Sequence, residues 1–358
     1  MDQMVIKDTF EIFRGRRVLV TGDTGFKGSW LCLWLHQLGA EVFGYALPPE
    51  QENDHYNLLG LETLIKHATG DIRDQVSVQK AFNQFQPEIV FHLAAQPLVR
   101  YSYVEPKLTF DTNVAGSVNI LEAVRLCDSV KSFVYVTSDK CYRNNEWVWG
   151  YRENDELGGH DPYSASKAAA ELVFSSYQDS FFHSRLGFGA ATVRAGNVIG
   201  GGDWAQDRIV PDAIRALQSG TSIKVRNPNS TRPWQHVLEP LSGYLLTAVM
   251  LLNEPKQFSG AWNFGPDSKS IRTVGELAQM IVDGWGSGEM ENAIHNNAPH
   301  EANLLHLNCD KAHQKMNWYP KWDADRAISE TVNWYRDVHH GVSAIEVTTK
   351  QIHAYMEF

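Results

Sequence analysis

Three closely spaced glycines near the N-terminus constrain the fold of this chain most strongly. The apolar residues 18–20 precede Gly22, Gly25 and Gly28, and helical spacing follows at residues 30–35. Gly22 permits a turn that a β-carbon would obstruct, Gly25 lets the main chain approach a pyrophosphate, and Gly28 lets a helix pack on a strand. The N–H groups that open the helix would face the anion. Strand, glycine turn and helix therefore predict a dinucleotide-binding unit, although a glycine turn can also be purely structural.

Composition and charge exclude several classes of function. The chain has 358 residues, a net charge of −10 and no long run of Lys and Arg, so neither nucleic acid nor a membrane is a predicted partner. Its longest apolar run, residues 241–252, is too short to span a bilayer. Residues 1–14 lack the apolar core of a signal peptide, which predicts a cytoplasmic protein. The cysteines are far apart and form no C-x-x-C pair, which indicates reduced thiols and no metal site: Cys32, Cys127, Cys141 and Cys309.

Apolar runs alternate with helical patterns along the first half of the chain. Strands are predicted at 41–45, 65–72, 88–96 and 132–140, with helices at 113–127 and from residue 163 onward. This alternation predicts an α/β fold of the Rossmann type, a doubly wound parallel sheet with a smaller C-terminal lobe.

The predicted division of the chain follows a change in composition near residue 196. Residues 10–195 form the predicted dinucleotide-binding domain, to which segments around 233–265 return. Residues 196–350 form most of the predicted substrate-binding lobe. A helix is predicted near 325–338, with Trp334 and Tyr335 packed on that lobe.

The residues that end the predicted strands bear on the cofactor. An acidic residue after the second strand commonly holds the ribose of NAD, and a nearby arginine would accept a 2′-phosphate. Residues 46–49 are Ala-Leu-Pro-Pro, so both are absent, which favours NAD over NADP. Asp71 and Ile72 are placed to cover the adenine, although Asp71 fits an N-cap or turn equally well. Ala94 and Ala95 would admit a cofactor close to the backbone, whereas the preceding His92 is predicted to lie in the core.

A polar strand tip and a Tyr-x-x-x-Lys pair predict the chemistry. Residues 137–140 are Thr-Ser-Asp-Lys, at the end of a strand where an open α/β sheet delivers groups to its ligand. Tyr163 and Lys167 are one helical turn apart and lie on one face. A lysine ammonium beside the phenol lowers the pKa of tyrosine and makes it a base for a hydroxyl proton. The pair alone also arises by chance in many helices.

Polar residues in the second half of the chain supply donors for a second pyrophosphate, that of a substrate. They are Arg194, Asn197, Arg208, Arg226 and Arg232. Each arginine taken alone also fits an ordinary surface residue.

Together, these motifs resemble the extended short-chain dehydrogenase/reductase superfamily. The strings that carry the resemblance are residues 21–30, 137–142, 163–167, 194–204 and 232–237. Over residues 10–350 the chain is similar to the CDP-glucose branch of the sugar-nucleotide 4,6-dehydratases. That resemblance implies a bound NAD that takes hydride from C4 of CDP-glucose and returns it to C6 after water leaves. The implied product is CDP-4-dehydro-6-deoxy-D-glucose, used for dideoxy sugars of O-antigen and other bacterial surface polysaccharide.

The resemblance also implies roles for individual residues. Tyr163, held by Lys167, would take the C4 hydroxyl proton, and Ser138 would polarise the C4 oxygen. Asp139 would protonate the departing C6 hydroxyl. Lys140 stands where most relatives have a glutamate, and it would serve as the C5 base if neutral or steady the enolate by its charge. The implied cofactor contacts are Gly22, Thr24, Gly25, Phe26, Lys27, Gly28, Asp71, Ile72, Leu93, Ala94, Ala95, Asn113, Tyr163 and Lys167; the implied substrate contacts are Gln96, Arg194, Asn197, Arg208 and Arg232.

Asp23 departs from the family pattern, which often has histidine at this position. Because a carboxylate facing a pyrophosphate would repel it, Asp23 is predicted to turn away and cap the helix. The resemblance further implies a homodimer or homotetramer, formed through the helices that follow Asn113 and Tyr163. Two alternatives stay open: a sugar-nucleotide 4-epimerase, which needs no elimination pair, and a non-catalytic regulator that binds NAD.

Overall fold

A parallel sheet organises the part of the chain that the computed structural model describes, residues 9–292 and 305–357. In chain order the strands are β1 (Arg17–Thr21), β2 (Glu41–Ala46), β3 (Lys66–Thr69), β4 (Ile89–His92), β5 (Ser132–Val136), β6 (Gly189–Arg194), β7 (Val198–Ile199), β8 (Ile223–Val225), β9 (Thr231–Pro233), β10 (Gln235–His236), β11 (Gly260–Asn263), β12 (Ile271–Thr273) and β13 (Met290–Asn292). Seven of them form the central sheet in the order β11-β6-β5-β4-β1-β2-β3, and every pairing in it is parallel. The short strands pair in twos, β7 with β10, β9 with β12 and β8 with β13. The fold is the predicted Rossmann-type α/β fold.

Helices cover both faces of this sheet. They are α1 (Phe26–Gln37), α2 (His55–Leu58), α3 (Leu61–Leu64), α4 (Gln75–Phe85), α5 (Val99–Val104), α6 (Pro106–Phe110), α7 (Ser117–Leu126), α8 (Pro162–Tyr177), α9 (Ile209–Gln218), α10 (Leu238–Asn253), α11 (Pro255–Phe258), α12 (Val274–Trp285), α13 (Asp310–Met316), α14 (Ala324–His339) and α15 (Ala344–Met356). Short 3-10 segments lie at Glu11–Phe13, Asp139–Cys141 and Ser268–Ser270, and π-helical segments at Asp111–Gly116 and Gln178–Phe182. The predicted helix over 113–127 is therefore π-helical at its start and α-helical only from Ser117.

Alternation along each central strand divides the core into two apolar layers. In β1, Val18 and Val20 belong to one layer and Leu19 to the other, because successive side chains of a strand point to opposite faces. The first layer includes α1 and α10 on the sheet together with α14 and α15, and the second packs α4, α7 and α8. Both faces are buried, which is why these strands read as continuous apolar runs.

The glycine turn has the predicted form, but α1 begins earlier than the helical spacing suggested. Its first residue is Phe26, so Gly28 lies within the first turn. A β-carbon on Gly28 would lie 2.0 Å from the carbonyl oxygen of Gly22, and one on Gly22 would lie 2.7 Å from the backbone nitrogen of Ala94. The two glycines thus let the helix and β4 close on the same turn.

The glycine-rich segment 200–203 is the second place, after the glycine turn at 22–28, where distant parts of the chain are held together, and we call it the second anchor. Helix α14 packs against it. Trp334 and Tyr335 of α14 are buried, as predicted, and Tyr335 donates to the carbonyl oxygens of Gly200 (3.3 Å) and Asp203 (2.6 Å). Trp30 of α1 donates to the carbonyl of Gly201 at 2.9 Å. Segment 200–203 therefore joins the C-terminal part of the chain to the first helix.

Other sequence predictions concern cysteines, membranes and domains. All four cysteines are buried and unpaired. Among the described helices, none has the length and apolar character to cross a membrane.

Strand β11 returns to the sheet beside β6, while the division at residue 196 stays a prediction. Residues 1–8, on which part of the signal-peptide prediction rests, and residues 293–304 of the predicted lobe lie outside the described part.

Replacing Gly201 by alanine tests the second anchor. The new β-carbon would lie 2.0 Å from the indole ring of Trp334, inside the core. We expect the free energy of unfolding to fall by about 2–3 kcal/mol, a typical effect of overpacking, in urea denaturation. Gly158→Ala is the matched control, since its β-carbon would come no closer than 3.4 Å to a neighbouring atom of Arg143. Equal stability of the two variants would contradict this description of the packing.

Candidate active site

Helix α8 presents three chemically active side chains on one face. Tyr163, Lys167 and Glu171 are spaced four residues apart and are all buried. The helix begins at Pro162, where the side chain of Asp161 accepts the backbone N–H of Ser164 at 2.9 Å. This face meets the carboxyl ends of β5 and β6, so the predicted Tyr-Lys pair and the predicted strand tip come together.

Glu171 ties α8 to those two strands. Its carboxylate accepts hydrogen bonds from the hydroxyls of Thr137 and Thr192 and forms an ion pair with Arg194, whose Nη2 lies 2.8 Å from Oε2. Burial alone would raise the pKa of Glu171, but Arg194 and the two hydroxyls outweigh burial and lower it. The pair stays charged inside the protein.

This ion pair corrects the predicted role of Arg194. The side chain is only 3% exposed, and further donors go to the hydroxyl of Tyr142 (2.6 Å) and the carbonyl of Glu153 (3.0 Å). Four of its five N–H donors are thus engaged inside the protein, which leaves the guanidinium little capacity to hold a substrate pyrophosphate. Arg194 is a structural residue in this arrangement, and we leave it out of the proposed substrate contacts.

Ser138 connects the catalytic candidates at the tip of β5. Its hydroxyl donates to Oδ1 of Asp139 at 2.9 Å and accepts the backbone N–H of Lys140 at 3.2 Å. It also acts on the Tyr163 phenol, whose pKa it lowers. Tyr163, Ser138 and Asp139 are 7%, 6% and 3% exposed, so the three residues lie in nearly dry surroundings.

Burial dominates the electrostatics of the ionisable groups here. It raises the pKa of Tyr163 to about 12, although the nearby Ser138 hydroxyl acts in the opposite direction. It lowers the pKa of Lys167 to about 8, with a further contribution from the charge of Lys27. The prediction that a neighbouring lysine brings the phenol toward neutrality therefore does not hold for the protein alone. Additional positive charge beside the phenol would be needed.

Lys27 reaches the same centre from the start of α1. Burial lowers its pKa to about 8, and the charge of Arg208 adds to the effect, whereas Asp139 and Asp203 act against it. The charge of Lys27 in turn disfavours the charged form of Lys167, so the two ammonium groups lie near each other. An anion bound between them would favour the charged form of both.

The glycine turn leaves room for such an anion. A β-carbon on Gly25 would meet only the carbonyl oxygen of Gly22, at 3.4 Å, so the space in front of the turn is open. Next to it, the hydroxyl of Thr21 accepts the backbone N–H of Ala94 at 3.3 Å and bonds to Nδ1 of His92 at 2.7 Å. His92 is fully buried and is a core histidine, as predicted. Leu93, Ala94 and Ala95 follow it and line the approach to the turn.

Asn113, a predicted cofactor contact, and Gln96, a predicted substrate contact, both form hydrogen bonds within the protein. Asn113 accepts the backbone N–H of Gln96 at 2.8 Å and donates to Ser166 of α8 at 2.9 Å. The side-chain nitrogen of Gln96 donates to Thr109 (2.8 Å), and its oxygen accepts the N–H of Leu98 (2.5 Å). Because both ends of the Gln96 amide are engaged, the structure gives it a positioning role rather than the predicted substrate contact.

The remaining adenine-side candidates lie at the end of β3. The carboxylate of Asp71 accepts the backbone N–H of Arg73 at 2.9 Å and pairs with its guanidinium, which lowers the pKa of Asp71. Of the two interpretations left open, this geometry matches the turn residue. Ile72 is buried beside Gly116, and Thr24 donates to the carbonyl of Leu47 at 2.9 Å.

Asp23 turns away from the glycine turn, but it does not cap the helix. The N-cap residue of α1 is Gly25, with no side-chain cap. Oδ2 of Asp23 instead lies 2.7 Å from Nδ1 of His67 on β3, and the carboxylate is fully buried behind Gly44. The predicted cap is therefore wrong, and a histidine 44 residues away provides the partner.

Arg208, one of the predicted substrate contacts, lies near Tyr163. Its Nη1 lies 2.7 Å from Oδ2 of Asp203, and its charge acts on the phenol of Tyr163. Asn197 adopts a left-handed backbone with φ of 51°. Arg226 pairs with Asp207 at 3.2 Å, and Arg232 donates to the carbonyl of Thr231 at 2.8 Å.

Sequence reasoning missed the residues that position this site. The sequence indicated no functional role for Glu171 or His67, and Asp203 was noted only as part of the string 194–204. The one available signal for Glu171 was its four-residue spacing from Lys167.

Comparison with known proteins identifies the group to which this architecture belongs. The profile of the GDP-mannose 4,6 dehydratase family matches residues 19–331. The chain belongs to this family. A curated relative, the CDP-glucose 4,6-dehydratase of Salmonella typhimurium, is 47% identical over 348 residues, which cover 96% of this chain and 97% of the relative. The dTDP-D-glucose 4,6-dehydratase of Homo sapiens is 27% identical over 92% of this chain and 93% of its own length.

Among solved structures, the UDP-glucose 4-epimerase of Thermus thermophilus in complex with NAD superposes with a TM-score of 0.75. It is 25% identical and covers 89% of this chain and 99% of its own. Membership of the dehydratase family confirms the resemblance seen in the sequence. Within residues 9–292 and 305–357, no group of three or more His, Cys, Asp or Glu side chains is arranged to hold a metal ion.

Replacing Arg194 by alanine distinguishes a structural arginine from a substrate contact. The change would leave Glu171 as an unpaired buried carboxylate, so we expect the free energy of unfolding to fall by about 3–5 kcal/mol in urea denaturation. Arg125→Ala is the control, because it breaks a comparable arginine–glutamate pair at the surface and should change stability little. If both variants were equally stable and Arg194→Ala only raised KM, Arg194 would be a ligand contact after all.

Proposed function

We propose that this chain is an NAD-dependent dehydratase that converts CDP-glucose to CDP-4-dehydro-6-deoxy-D-glucose and water. The observation that carries the proposal is the packing of the short segment Asp139–Cys141, which contains Asp139 and Lys140, against helix α8, which carries Tyr163. Removal of water from C6 needs an acid for the departing hydroxyl and a base at C5, besides the groups that oxidise C4. This strand tip supplies candidates for both.

The protein side of the cofactor site fits a dinucleotide. Gly25 leaves space for a pyrophosphate in front of the turn that Gly22 permits, and Lys27 and Lys167 would neutralise its charge. The Thermus thermophilus relative binds NAD, and the absence of both an acid and an arginine at residues 46–49 supports NAD over NADP. When bound, NAD supplies a hydride acceptor for C4 and a donor for C6.

Each protein group then has a defined task. Tyr163 takes the proton of the C4 hydroxyl, and Lys167 together with the positive cofactor ring favours its phenolate. Asp139, 3% exposed, gives a proton to the C6 hydroxyl, which leaves as water. Lys140 takes the C5 proton or stabilises the enolate that forms. Arg208, oriented by Asp203, is placed to hold the substrate near Tyr163.

Identity with curated relatives supports the cytidine substrate. The CDP-glucose enzyme is 47% identical and the dTDP-glucose enzyme 27%, both over most of the chain. An epimerase would use Tyr163 and Lys167 alone, and a regulator would need neither. The likeness to an epimerase structure reflects the shared fold, so the elimination pair is the feature that separates the two activities.

We further propose that the enzyme is a cytoplasmic homodimer that serves dideoxy-sugar synthesis for O-antigen. Helices α7 and α8 leave Leu126 and Leu172 56% and 62% exposed, which supports contact with a second copy there.

Incubation with a panel of nucleotide sugars tests the activity directly. With NAD present, we expect CDP-glucose to yield the alkali-sensitive absorbance of a 4-keto-6-deoxy sugar, and dTDP-, GDP- and UDP-glucose to yield at least tenfold less. Tyr163→Phe, which keeps the ring and removes the base, should abolish the signal. A 4-epimer in place of the keto sugar would establish the epimerase, and no product from any sugar despite bound NAD would favour the regulator.

Replacing Lys140 by alanine tests the elimination step. We expect kcat to fall by about 100-fold or more, the usual contribution of a general base, while reduced cofactor accumulates because C4 oxidation continues. Absorbance at the reduced-nicotinamide band and product formation would be followed together. Lys131→Ala, a surface lysine that donates to the carbonyl of Asp128, is the control. Unchanged turnover in Lys140→Ala would remove this lysine from the mechanism.

A further inference from the structure

A small cavity lies beside Asp139 and strand β10. It has room for about one water molecule, and its lining includes Asp139, Gln235 and His306. Gln235 is the first residue of β10 and is fully buried, whereas His306 lies shortly before helix α13 and is partly exposed. The cavity therefore brings the proposed acid together with two polar side chains that the proposed reaction does not use.

Each of these two side chains has a buried polar atom without a partner. Within the described part of the chain, neither Oε1 of Gln235 nor Nδ1 of His306 forms a hydrogen bond. The amide of Gln235 is held by its other end, where Nε2 donates to the carbonyl oxygens of Gly196 (3.0 Å) and Phe264 (3.3 Å). Its oxygen is therefore fixed in place as an unused acceptor. Burying a polar atom without a partner is costly, and a bound water is a common way to satisfy one.

The carboxylate of Asp139 packs on the same piece of backbone. A β-carbon on Gly196 would lie 1.9 Å from Oδ2 of Asp139, so this oxygen lies against the residue whose carbonyl Gln235 binds. The other oxygen, Oδ1, accepts the hydroxyl of Ser138 at 2.9 Å, whereas Oδ2 has no such donor among the described residues. Three unsatisfied polar atoms thus belong to side chains that line one water-sized cavity, and about three hydrogen bonds are typical of a buried water.

We propose that Gln235 and His306 hold one water molecule against Oδ2 of Asp139, and that this water returns a proton to Asp139 after each turnover. The water would accept from Nδ1–H of His306 and donate to the two oxygens. The inference rests on the proposed dehydratase function, in which Asp139 gives its proton to the departing C6 hydroxyl. An epimerase would have no acid to restore.

The proton enters through His306. The imidazole takes a proton from solvent at Nε2, its Nδ1–H bond breaks as a new O–H bond forms on the water, and another O–H bond of the water breaks as Asp139 is protonated. His306 ends neutral, and exchange with solvent restores its first tautomer. Tyr163, which gained the proton of the C4 hydroxyl, releases it to solvent when the product leaves. The C5 proton is removed and replaced within the turnover, so the solution neither gains nor loses a proton.

Burial of the acid gives this route its value. Asp139 is only 3% exposed, so bulk solvent has little access to its carboxyl. Of the described residues, Asp139 lines the cavity and Tyr163 does not, so the water serves the acid and not the base. Burial lowers the pKa of His306, which favours release of a proton from its charged form.

A high-resolution crystal structure of the wild-type enzyme tests the water site directly. We expect one ordered water within hydrogen-bond distance of Oδ2 of Asp139, Oε1 of Gln235 and Nδ1 of His306. Wild-type crystals without that water would overturn the proposal, whatever the activity of the enzyme.

Replacing His306 by phenylalanine tests the return of the proton, because the ring remains while both nitrogens are lost. Product is followed by rapid quench, with CDP-glucose and NAD in excess. The first turnover begins from enzyme that has equilibrated with solvent, so we expect it to keep the wild-type rate, whereas later turnovers should be slower by about tenfold or more. His353→Phe, the same change at an exposed position of α15, is the matched control and should keep the wild-type rates throughout.

The outcomes distinguish failure of this inference from failure of the proposed function. His306→Ala provides a second variant should phenylalanine disturb folding, with the same two phases expected, and added imidazole should restore its later turnovers. Equal slowing of the first and later turnovers, no change in either, or no rescue by imidazole would show that the proton does not pass through His306. If the wild type made no keto sugar, the proposed function itself would fail, whereas the crystal would still report on the water.

Discussion

The buried ion pair between Glu171 and Arg194 is the constraint on which the proposed reaction centre depends. Arg194 ends β6, Thr137 follows β5, and Glu171 lies on α8, so one carboxylate fixes a helix against two strands. Lys167 and Tyr163 lie one and two turns before Glu171 on the same helical face. Replacing such a pair by apolar residues is often neutral for stability, but removing one partner is costly. The pair therefore specifies where the helix sits, and proton transfer from a substrate hydroxyl to Tyr163 would require that placement to be accurate.

A second set of contacts places the substrate-side arginine. Asp203 holds Arg208 through its carboxylate and accepts Tyr335 of α14 through its backbone carbonyl. Helix α14 thus reaches the candidate active site through Asp203, the residue that follows Gly202. Gly201 and Gly202 permit this contact, because a side chain at either position would collide with Trp334 or His55. Residues more than 130 positions apart in sequence consequently define one wall of the site.

Much of this arrangement follows from the sequence, and the exceptions share a physical cause. The strands, the glycine turn and the Tyr-Lys pair are local patterns, fixed by spacing and by conformational preference within a few residues. The partners of Arg194 and Asp23 are not local. An arginine or aspartate reads as a ligand contact or a cap until the tertiary structure shows which opposite charge it meets, here Glu171 and His67. Whether such a side chain is buried, and which charge it meets, decides its role. Charged partners that lie tens of residues apart in the chain produce no periodic pattern in a single sequence.

The two buried lysines explain how the same site can hold a cofactor and activate a tyrosine. Without a ligand, burial lowers the pKa of both Lys27 and Lys167, the charge of Lys27 lowers that of Lys167 further, and burial keeps Tyr163 a phenol with a pKa of about 12. A bound pyrophosphate would restore the charge of the lysines, since opposite charge nearby favours the ionised form. The charged Lys167 and the positive nicotinamide ring would then favour the phenolate. Cofactor binding and base activation are in this way one electrostatic event, which ties the basicity of Tyr163 to the presence of the hydride acceptor that it serves.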